Sequence, residues 1–393
     1  MDYYDIKPHT EIASLELDDI KENVYDISLV APVVGMAESF IRKVVGSKKQ
    51  LTEQDVVTLL NQDAFNETFV PRSKVLSYLR SLSVEPENAF SDLVILPNDI
   101  YVGDAVDLIK QLDDHSIQCV VTSTPYWAMR IYDEMVTRTW ADGEVCSFGL
   151  EQTPEAFIRH SVEILFYLKN KMTPTGSIWW NIMDSYNTRT QIRGNAVETL
   201  QAMKGNDKRS WKDYKYKRYS SGHAYLKDGE QCMIPQRIAE RASRIGLYMR
   251  SMISWCKTSS LPEPQLSRVS RNVEYIIHFS VQRTPTFHKD AYLSLPKELG
   301  GKQEKETEKL SDSWLLPTSS GGDGHGAQFP LQLPGRCIGL TSDENDIILD
   351  PFIGSGTTAI AALKLNRRYI GFDISTEYVA TSKKKIQQAI NGK

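Results

Sequence analysis

From about residue 96 onward, short apolar runs alternate with longer amphipathic segments. The short runs are rich in β-branched and aromatic residues, which favours strands, whereas the longer segments place apolar residues three and four positions apart, which favours helices. A repeated order of strand and helix is typical of a parallel sheet that is covered by helices on both faces. The sequence therefore predicts an α/β fold with strands at 117–122, 177–182, 248–255, 274–280, 346–350 and 369–374.

The first 95 residues have a helical pattern instead. Helices are predicted over 14–30, 52–62 and 73–82, with Thr52 and Ser73 as N-caps. We expect a small helical domain whose pattern does not indicate whether it extends a binding surface, holds a partner or braces the sheet. Farther along the chain, residues 297–312 contain almost no apolar side chains and are predicted to form a mobile loop between two ordered parts.

The composition excludes several classes of protein. With 393 residues, 41% hydrophobic and 24% charged, the chain is typical of a globular protein and not of a disordered or fibrous one. No apolar run reaches the roughly 20 residues of a membrane span, and the polar, acidic start is unlike a secretory signal. The five cysteines are scattered without a Cys-x-x-Cys pair, so we expect reduced thiols and no zinc site. These features predict a cytoplasmic protein.

The net charge of −4 conceals an asymmetry along the chain. Residues 1–95 carry 9 Lys and Arg against 16 Asp and Glu, a net of −7, whereas residues 186–290 carry 19 against 9, a net of +10. Within the second segment, the run RSWKDYKYKRYSSGHAY interleaves basic and aromatic residues. A localised basic face can neutralise phosphates, which indicates a nucleic-acid partner, although a solvated surface loop would have the same composition.

A glycine turn near the C-terminus lies between two predicted strands, in the segment 346–374. Gly354 and Gly356 allow the backbone to approach a ligand, and a helix opens at Thr357. Asp373 ends the second strand 19 residues after Gly354, where a carboxylate can accept hydrogen bonds from ribose hydroxyls. A glycine turn alone often only turns a corner, but the following strand and acid favour a nucleoside-cofactor site.

A second motif, VVTSTPYW, leaves the predicted strand at 117–122. Ligands of open sheets bind outside the carboxyl ends of strands, so this turn is expected near the glycine turn. It offers polar oxygens, a proline that can hold a carbonyl still and an aromatic ring on which an extruded base can stack. The structural alternative is a strand that ends in a proline turn with a packed aromatic. The candidate catalytic residues are Ser123, Thr124, Pro125, Tyr126 and Trp127.

Together the two motifs resemble those of beta-group amino-directed DNA methyltransferases, in which the catalytic turn precedes the cofactor loop. The segment 350–358, DPFIGSGTT, is similar to their S-adenosylmethionine loop. The turn is similar to the Ser-Pro-Pro-Tyr motif of cytosine-N4 enzymes, with Thr124 in place of the first proline. Related adenine-N6 enzymes usually have Asp where this chain has Ser123. The resemblance covers roughly residues 97–393 and not the first 95.

The resemblance implies a Rossmann-like sheet that binds S-adenosylmethionine, releases S-adenosylhomocysteine and needs no metal. It divides the chain into a catalytic half at 96–257 with a basic insertion at 186–230, a target-recognition region at 258–322 and a cofactor half at 323–393. Asp104 is implied to lie near the adenine of the cofactor; the structural alternative is that it only caps the helix that begins nearby. The implied cofactor-binding residues are Asp104, Phe329, Pro330, Asp350, Pro351, Phe352, Gly354, Ser355, Gly356, Thr357, Thr358 and Asp373.

The implied partner is double-stranded DNA, and the enzymes that the chain resembles occur in restriction–modification systems with a companion endonuclease that acts separately. Neither the oligomeric state nor the recognition sequence can be inferred. The residues expected to bind DNA are Arg189, Arg193, Lys212, Lys215, Lys217, Arg218 and Lys257.

Three activities are compatible with these motifs. Cytosine-N4 methylation is favoured, adenine-N6 methylation is the alternative, and a DNA-binding module without turnover is the third. Methylation at carbon five of cytosine is disfavoured, because its cysteine nucleophile follows a proline in that enzyme group and none of the five cysteines does so here. Amine methylation needs no covalent intermediate, so positioning carries most of the acceleration.

Replacing Lys215, Lys217 and Arg218 by Ala is expected to weaken DNA binding with little change in sequence preference, because phosphate contacts carry no sequence information. Each lost contact should flatten the slope of log affinity against log salt concentration by about one unit. Titrations at several salt concentrations measure both quantities. A changed preference with an unchanged slope would contradict the assignment.

Overall fold

The computed structural model describes residues 20–83, 93–127, 136–187, 190–192, 217–219, 225–257, 267–318 and 329–391. The N-terminal part contains β1 (Val24–Asp26), α1 (Ile27–Val34), α2 (Glu38–Val45), β2 (Gln50–Thr52), α3 (Glu53–Leu60) and α4 (Val75–Ser83). β1 and β2 pair antiparallel. This pair was not predicted from the helical spacing, so the region is mainly, but not entirely, helical.

Helix starts in this part follow their capping residues. Thr52 caps α3 as predicted, in a capping box in which Thr52 and Asp55 each accept a hydrogen bond from the other's backbone N–H. The helix predicted over 14–30 starts only at Ile27, because β1 precedes it and Asp26 provides its cap; residues 14–19 lie outside the described part. The prediction for Ser73 is wrong, since this residue lies inside a 3-10 turn at Arg72–Lys74.

The remaining elements alternate strands and helices. They are β3 (Asp99–Val102), α5 (Ala105–Gln111), β4 (Ile117–Ser123), β5 (Arg138–Thr139), β6 (Val145–Cys146), α6 (Pro154–Lys171), β7 (Met172–Ile182), β8 (Thr190–Ile192), β9 (Lys217–Tyr219), α7 (Ile234–Arg244), β10 (Tyr248–Cys256), β11 (Val273–Ser280), α8 (Ala291–Ser294), β12 (Ser313–Trp314), α9 (Gln332–Thr341), β13 (Ile347–Asp350), α10 (Thr357–Lys364), β14 (Arg368–Asp373) and α11 (Thr376–Asn391).

Among the described residues, eight strands form one sheet in the order β12-β10-β11-β7-β4-β13-β14-β3. The α/β, Rossmann-like prediction is confirmed, but the sheet is mixed and not wholly parallel. β11 runs antiparallel to both β7 and β10, whereas β4, β13, β14 and β3 are parallel neighbours. The carboxyl ends of β4, β7 and β10 therefore share one edge with the start of β11.

Both faces of the sheet are buried, which explains why its strands read as continuous apolar runs. Neighbouring residues along β4, such as Val120 and Val121, pack into separate cores on opposite faces. The first core includes α5, α6 and α7, and the second includes α9, α10 and α11. No helix in the described ranges is long and apolar enough to cross a membrane.

The N-terminal helices share the first core with the sheet. The ring of Phe69 lies 5.0 Å from that of Phe166 in α6, at an interplanar angle of 33°, and the hydroxyls of Tyr78 and Tyr167 are 3.1 Å apart. Glu67 accepts a hydrogen bond from Arg241 of α7 at 3.2 Å. The N-terminal part thus packs against α6 and α7.

The segment 297–312 is anchored to α9, so the prediction of a mobile loop is wrong. Arg336 is fully buried and makes a two-pronged ion pair with Glu306, with N–O distances of 2.8 and 2.7 Å. The same guanidinium donates to the carbonyl of Gly300 at 2.6 Å. Polar composition suggested mobility because it cannot reveal a buried partner 30 residues away.

Replacing Arg336 by Met is expected to lower the free energy of unfolding by about 3–5 kcal/mol, because Glu306 would remain buried without its counter-charge. Urea denaturation measures the change. Lys297→Met is the matched control: its ion pair with Glu304 is exposed, and its loss should cost less than about 1 kcal/mol. Equal losses in the two variants would show that the Arg336 pair does not anchor the segment.

Candidate functional site

The two motifs found in the sequence line one cavity. β4 and β13 are parallel neighbours, so the turns that follow them leave the sheet at the same edge. Ser123 and Pro125 from the first turn line the cavity together with Gly354, Ser355 and Thr357 from the glycine turn. The two segments are more than 200 residues apart in the chain, and the sheet order brings them face to face.

A buried carboxylate joins these two turns. Asp350 accepts a hydrogen bond from the Thr122 hydroxyl at 2.7 Å and another from the Thr358 hydroxyl at 2.6 Å. Burial raises the pKa of Asp350 to about 6, although these hydrogen bonds favour its charged form. Asp350 therefore fixes β4, which carries the catalytic turn, to α10, which begins at the glycine turn.

The glycine turn is closed by Asp373, which accepts a hydrogen bond from the Gly354 amide at 2.9 Å. Gly356 has a φ of 84°, and a Cβ there would lie 3.2 Å from the Cβ of Ser382. A side chain at this position would be strained in φ and crowded against α11, which explains the glycine. The turn thus brings backbone amides and a carboxylate to the cavity wall.

Nine of the twelve implied cofactor-binding residues line the cavity within the described chain, whereas Pro330, Gly356 and Thr358 are not among the lining residues. Asp104 caps α5, as the sequence allowed, and it also lines the cavity; its place near an adenine remains a prediction. Its carboxylate accepts from the amides of Val106 and Asp107. Burial raises the pKa of Asp104, while its ion pair with Arg138 opposes this shift.

The catalytic turn lies beside a cluster of polar side chains at the carboxyl edge of the sheet. Tyr126 donates a hydrogen bond to Glu274 at 2.5 Å. Asn181 donates to Glu274 at 2.9 Å, to the Tyr126 hydroxyl at 3.0 Å and to the Ser123 hydroxyl at 3.2 Å. Lys257, which the sequence assigned to DNA, pairs with Glu274. Polar side chains from β7, from β11 and from the end of β10 thus surround Ser123 and Tyr126.

Two residues of the turn face inward. Trp127 is buried, and its indole N–H donates to the Glu151 carbonyl at 3.1 Å. Thr124 is 4% exposed, and its hydroxyl has no hydrogen-bond partner in the described part of the chain. The position at which this chain departs from the Ser-Pro-Pro-Tyr pattern is therefore packed inside the protein, while Ser123 and Pro125 reach the cavity.

A buried histidine stacks on a residue that lines the cavity. His160 donates hydrogen bonds to Glu151 at 3.0 Å and to Asp142 at 3.2 Å, and its ring stacks on Trp140, which lines the cavity, at 4.1 Å. Although burial opposes the charged form, these two acids raise the pKa of His160 to about 9. The possible ligand atoms of Asp142, Glu144 and His160 lie within 4.8 Å of one another, as do those of Cys146, Glu151 and His160.

The residues expected to bind DNA are only partly within the described ranges. Arg189, Arg193, Lys212 and Lys215 lie outside them. Lys217 and Arg218 belong to β9, which pairs antiparallel with β8. Their assignment to DNA remains a prediction.

Asn181 and Glu274 were missed by the sequence analysis, as was Trp140 in the cavity wall. The only signal for the first two was a polar residue within an apolar strand, in SIWWNI and VEYIIHFS. Trp140 lies between two-residue strands with no motif around it. Asn181 and Glu274 reach the site because β7 pairs with β4 and with β11. The spacing of residues in the sequence does not reveal which strands pair.

Comparison with known proteins identifies the family to which the chain belongs. The profile of the DNA methylase family, which comprises N6 and N4 amino-methyltransferases, matches residues 117–384. The Type II methyltransferase M.Cfr9I of Citrobacter freundii is 29% identical over 78% of this chain and 93% of its own, and M.SmaI of Serratia marcescens is 28% identical over 73% and 90%. The structure of the cytosine-N4-specific PvuII DNA methyltransferase is similar in fold, with a TM-score of 0.50 and 19% identity over 74% of this chain and 90% of that one.

The chain belongs to the DNA methylase family. It is accordingly an S-adenosylmethionine-dependent DNA amino-methyltransferase of the restriction–modification type.

The pKa of His160 yields a prediction for stability. Its folded value of about 9 lies above the unfolded value of about 6.5, so its contribution is fully present below pH 6.5 and is lost as the pH rises through 9. At about 1.4 kcal/mol per pKa unit, the free energy of unfolding should fall by roughly 2–3 kcal/mol over this range. Urea denaturation at several pH values measures this fall.

Two variants isolate the effect. His160→Gln should abolish most of the fall, whereas His288→Gln should retain it, because His288 is an exposed histidine that pairs with Asp343 at the surface. A pH dependence in His160→Gln equal to that of the unaltered protein would refute the role of the buried imidazolium.

Proposed function

We propose that this enzyme methylates the exocyclic N4 amine of a cytosine that is everted from duplex DNA. The observation that carries the proposal is the single cavity lined by Ser123 and Pro125 on one side and by the glycine turn on the other. This juxtaposition is what methyl transfer requires, since the acceptor amine and the donor must meet in line. Serine, and not aspartate, at position 123 favours cytosine over adenine.

Positioning of the amine falls to the catalytic turn. The Ser123 hydroxyl accepts a hydrogen bond from Asn181 at 3.2 Å, which fixes the direction of its oxygen. That oxygen and the carbonyl held by Pro125 are placed to accept the protons of the amine, which turns its lone pair toward the cavity. The half-buried Tyr126 ring offers a stacking surface worth about 1–3 kcal/mol, which offsets much of the cost of eversion.

Cofactor binding is assigned to the other wall. S-Adenosylmethionine supplies a methyl group that its sulfonium makes electrophilic. Asp373 has the position for ribose hydroxyls, while Phe352 and Trp140 offer apolar ring surface to the cavity. In the transfer, the bond from N4 to the methyl carbon forms as the carbon–sulfur bond breaks, the sulfur keeps the electron pair, and the amine releases one proton.

DNA is assigned to the sheet edge that carries the catalytic turn. The basic insertion 186–230 would neutralise phosphates there, and the region 258–322 would read the bases. Lys257 pairs with Glu274, so the basic residues that we assign to phosphates are Arg189, Arg193, Lys212, Lys215, Lys217 and Arg218. A companion endonuclease would recognise the same sequence independently. Because the substrate is DNA, we expect the enzyme to work in the cytoplasm.

The test is methylation of unmodified DNA by the purified protein with labelled S-adenosylmethionine, followed by mass spectrometry of the nucleosides and mapping of the modified positions. We expect N4-methylcytosine at one recurring sequence, and loss of most transfer in Tyr126→Ala, which removes the stacking ring. N6-methyladenine would overturn the choice of base. Binding of both DNA and cofactor without transfer would instead identify a binding module.

A further inference from the structure

We propose that Glu274 is a positioning residue for the target base, which acts by holding the Tyr126 ring and the Asn181 amide in fixed orientations. The inference rests on the proposed function, because it assigns the everted base to Tyr126. No sequence motif contains Glu274: it enters the site from β11, 148 residues after Tyr126.

Glu274 and Tyr126 form a hydrogen bond between a phenol and a carboxylate, which is a strong kind of hydrogen bond. The phenol donates to a carboxylate oxygen at 2.5 Å, and hydrogen bonds to charged acceptors are about twice as strong as neutral ones. A free tyrosine ring swings about two side-chain torsions. Anchoring the hydroxyl restricts both torsions, so the stacking surface is oriented before a base arrives and less entropy is lost on binding.

The carboxylate itself is held in place. Glu274 is 5% exposed, and a buried charge is costly unless it is paired and hydrogen-bonded. Lys257, at the end of the neighbouring strand β10, pairs with its second oxygen. With Tyr126 and Asn181 on the first oxygen, Glu274 is a fixed acceptor at the edge of the sheet.

The same carboxylate orients Asn181. Only the amide nitrogen of Asn181 can face Glu274, because its oxygen would meet another acceptor. The nitrogen contacts Glu274, Tyr126 and Ser123, while the oxygen is buried and has no hydrogen-bond partner among the described residues. The orientation of the amide is therefore set by the contacts of its nitrogen, of which the one to the Glu274 carboxylate is the shortest.

Glu274 is not among the residues that line the cavity of the glycine turn. Its loss should therefore alter handling of the base and leave cofactor binding unchanged. A carboxylate that only stabilised the fold would give the opposite pattern, with reduced stability and no selective effect on transfer from a bound cofactor.

The experiment compares single-turnover methyl transfer, at saturating DNA and cofactor, in Glu274→Gln, Tyr126→Phe and the double variant. Glu240→Gln is the control, since Glu240 forms an exposed pair with Arg244 on α7. Binding of labelled S-adenosylmethionine is measured by equilibrium dialysis. Base eversion is followed by the fluorescence of 2-aminopurine placed at the methylated position of the mapped site.

We expect Glu274→Gln and Tyr126→Phe each to slow transfer about 10- to 100-fold and to reduce the fluorescence change, with unaltered cofactor affinity. The double variant should be no more than about twofold slower than the slower single variant, because both remove the same contact. Glu240→Gln should match the unaltered protein.

Unaltered transfer in Glu274→Gln, or reductions that multiply in the double variant, would overturn the inference. If Glu274→Gln does not fold, Tyr126→Phe still decides: a rate equal to that of the unaltered protein shows that the anchored hydroxyl has no role. Failure of the proposed function is a different result, since the unaltered protein would then yield no N4-methylcytosine.

Discussion

The hydrogen bonds that Asp350 accepts from Thr122 and Thr358 hold the functional part of the molecule together. One threonine precedes the catalytic turn and the other follows the glycine turn, so a single buried carboxylate sets the distance between the two. Burial disfavours the charged form of Asp350 and raises its pKa to about 6. The hydrogen bonds from the two threonines favour the charged form and so offset part of this effect. Both walls of the cavity depend on this junction.

Residues outside the family motifs hold the elements that surround the cavity. The buried His160 holds Asp142 and Glu151 and stacks on Trp140, and Arg159 links Asp142 toward Glu67 of the N-terminal region. The acidic N-terminal region thus contacts Arg159, which pairs with Asp142. None of its described residues lines the cavity. On the other face, Arg336 fixes the polar segment 297–312 to α9, which follows directly after Phe329.

Polar groups at the carboxyl edge divide into two sets. One set, around Asp373 and the glycine turn, belongs to the cavity assigned to the cofactor. The other, formed by Glu274, Asn181 and Lys257, surrounds the hydroxyls of Ser123 and Tyr126. Ser123 belongs to both, since it lines the cavity and accepts from Asn181. The catalytic turn therefore lies between the cavity that we assign to the methyl donor and the polar side chains that we assign to the base.

The sequence by itself determined what depends on near neighbours in the chain. Alternating strands and helices, the cap at Thr52, the glycine turn and the catalytic turn all follow from spacings of a few residues, which fix local backbone preferences. Tertiary structure decided the antiparallel position of β11, the burial of Thr124, the ion pair that immobilises the 297–312 segment and the charge of His160. These depend on which strands and side chains become neighbours in space, at separations that run from 9 residues for His160 and Glu151 to 93 for Asn181 and Glu274, and such pairing is settled only when the whole core packs.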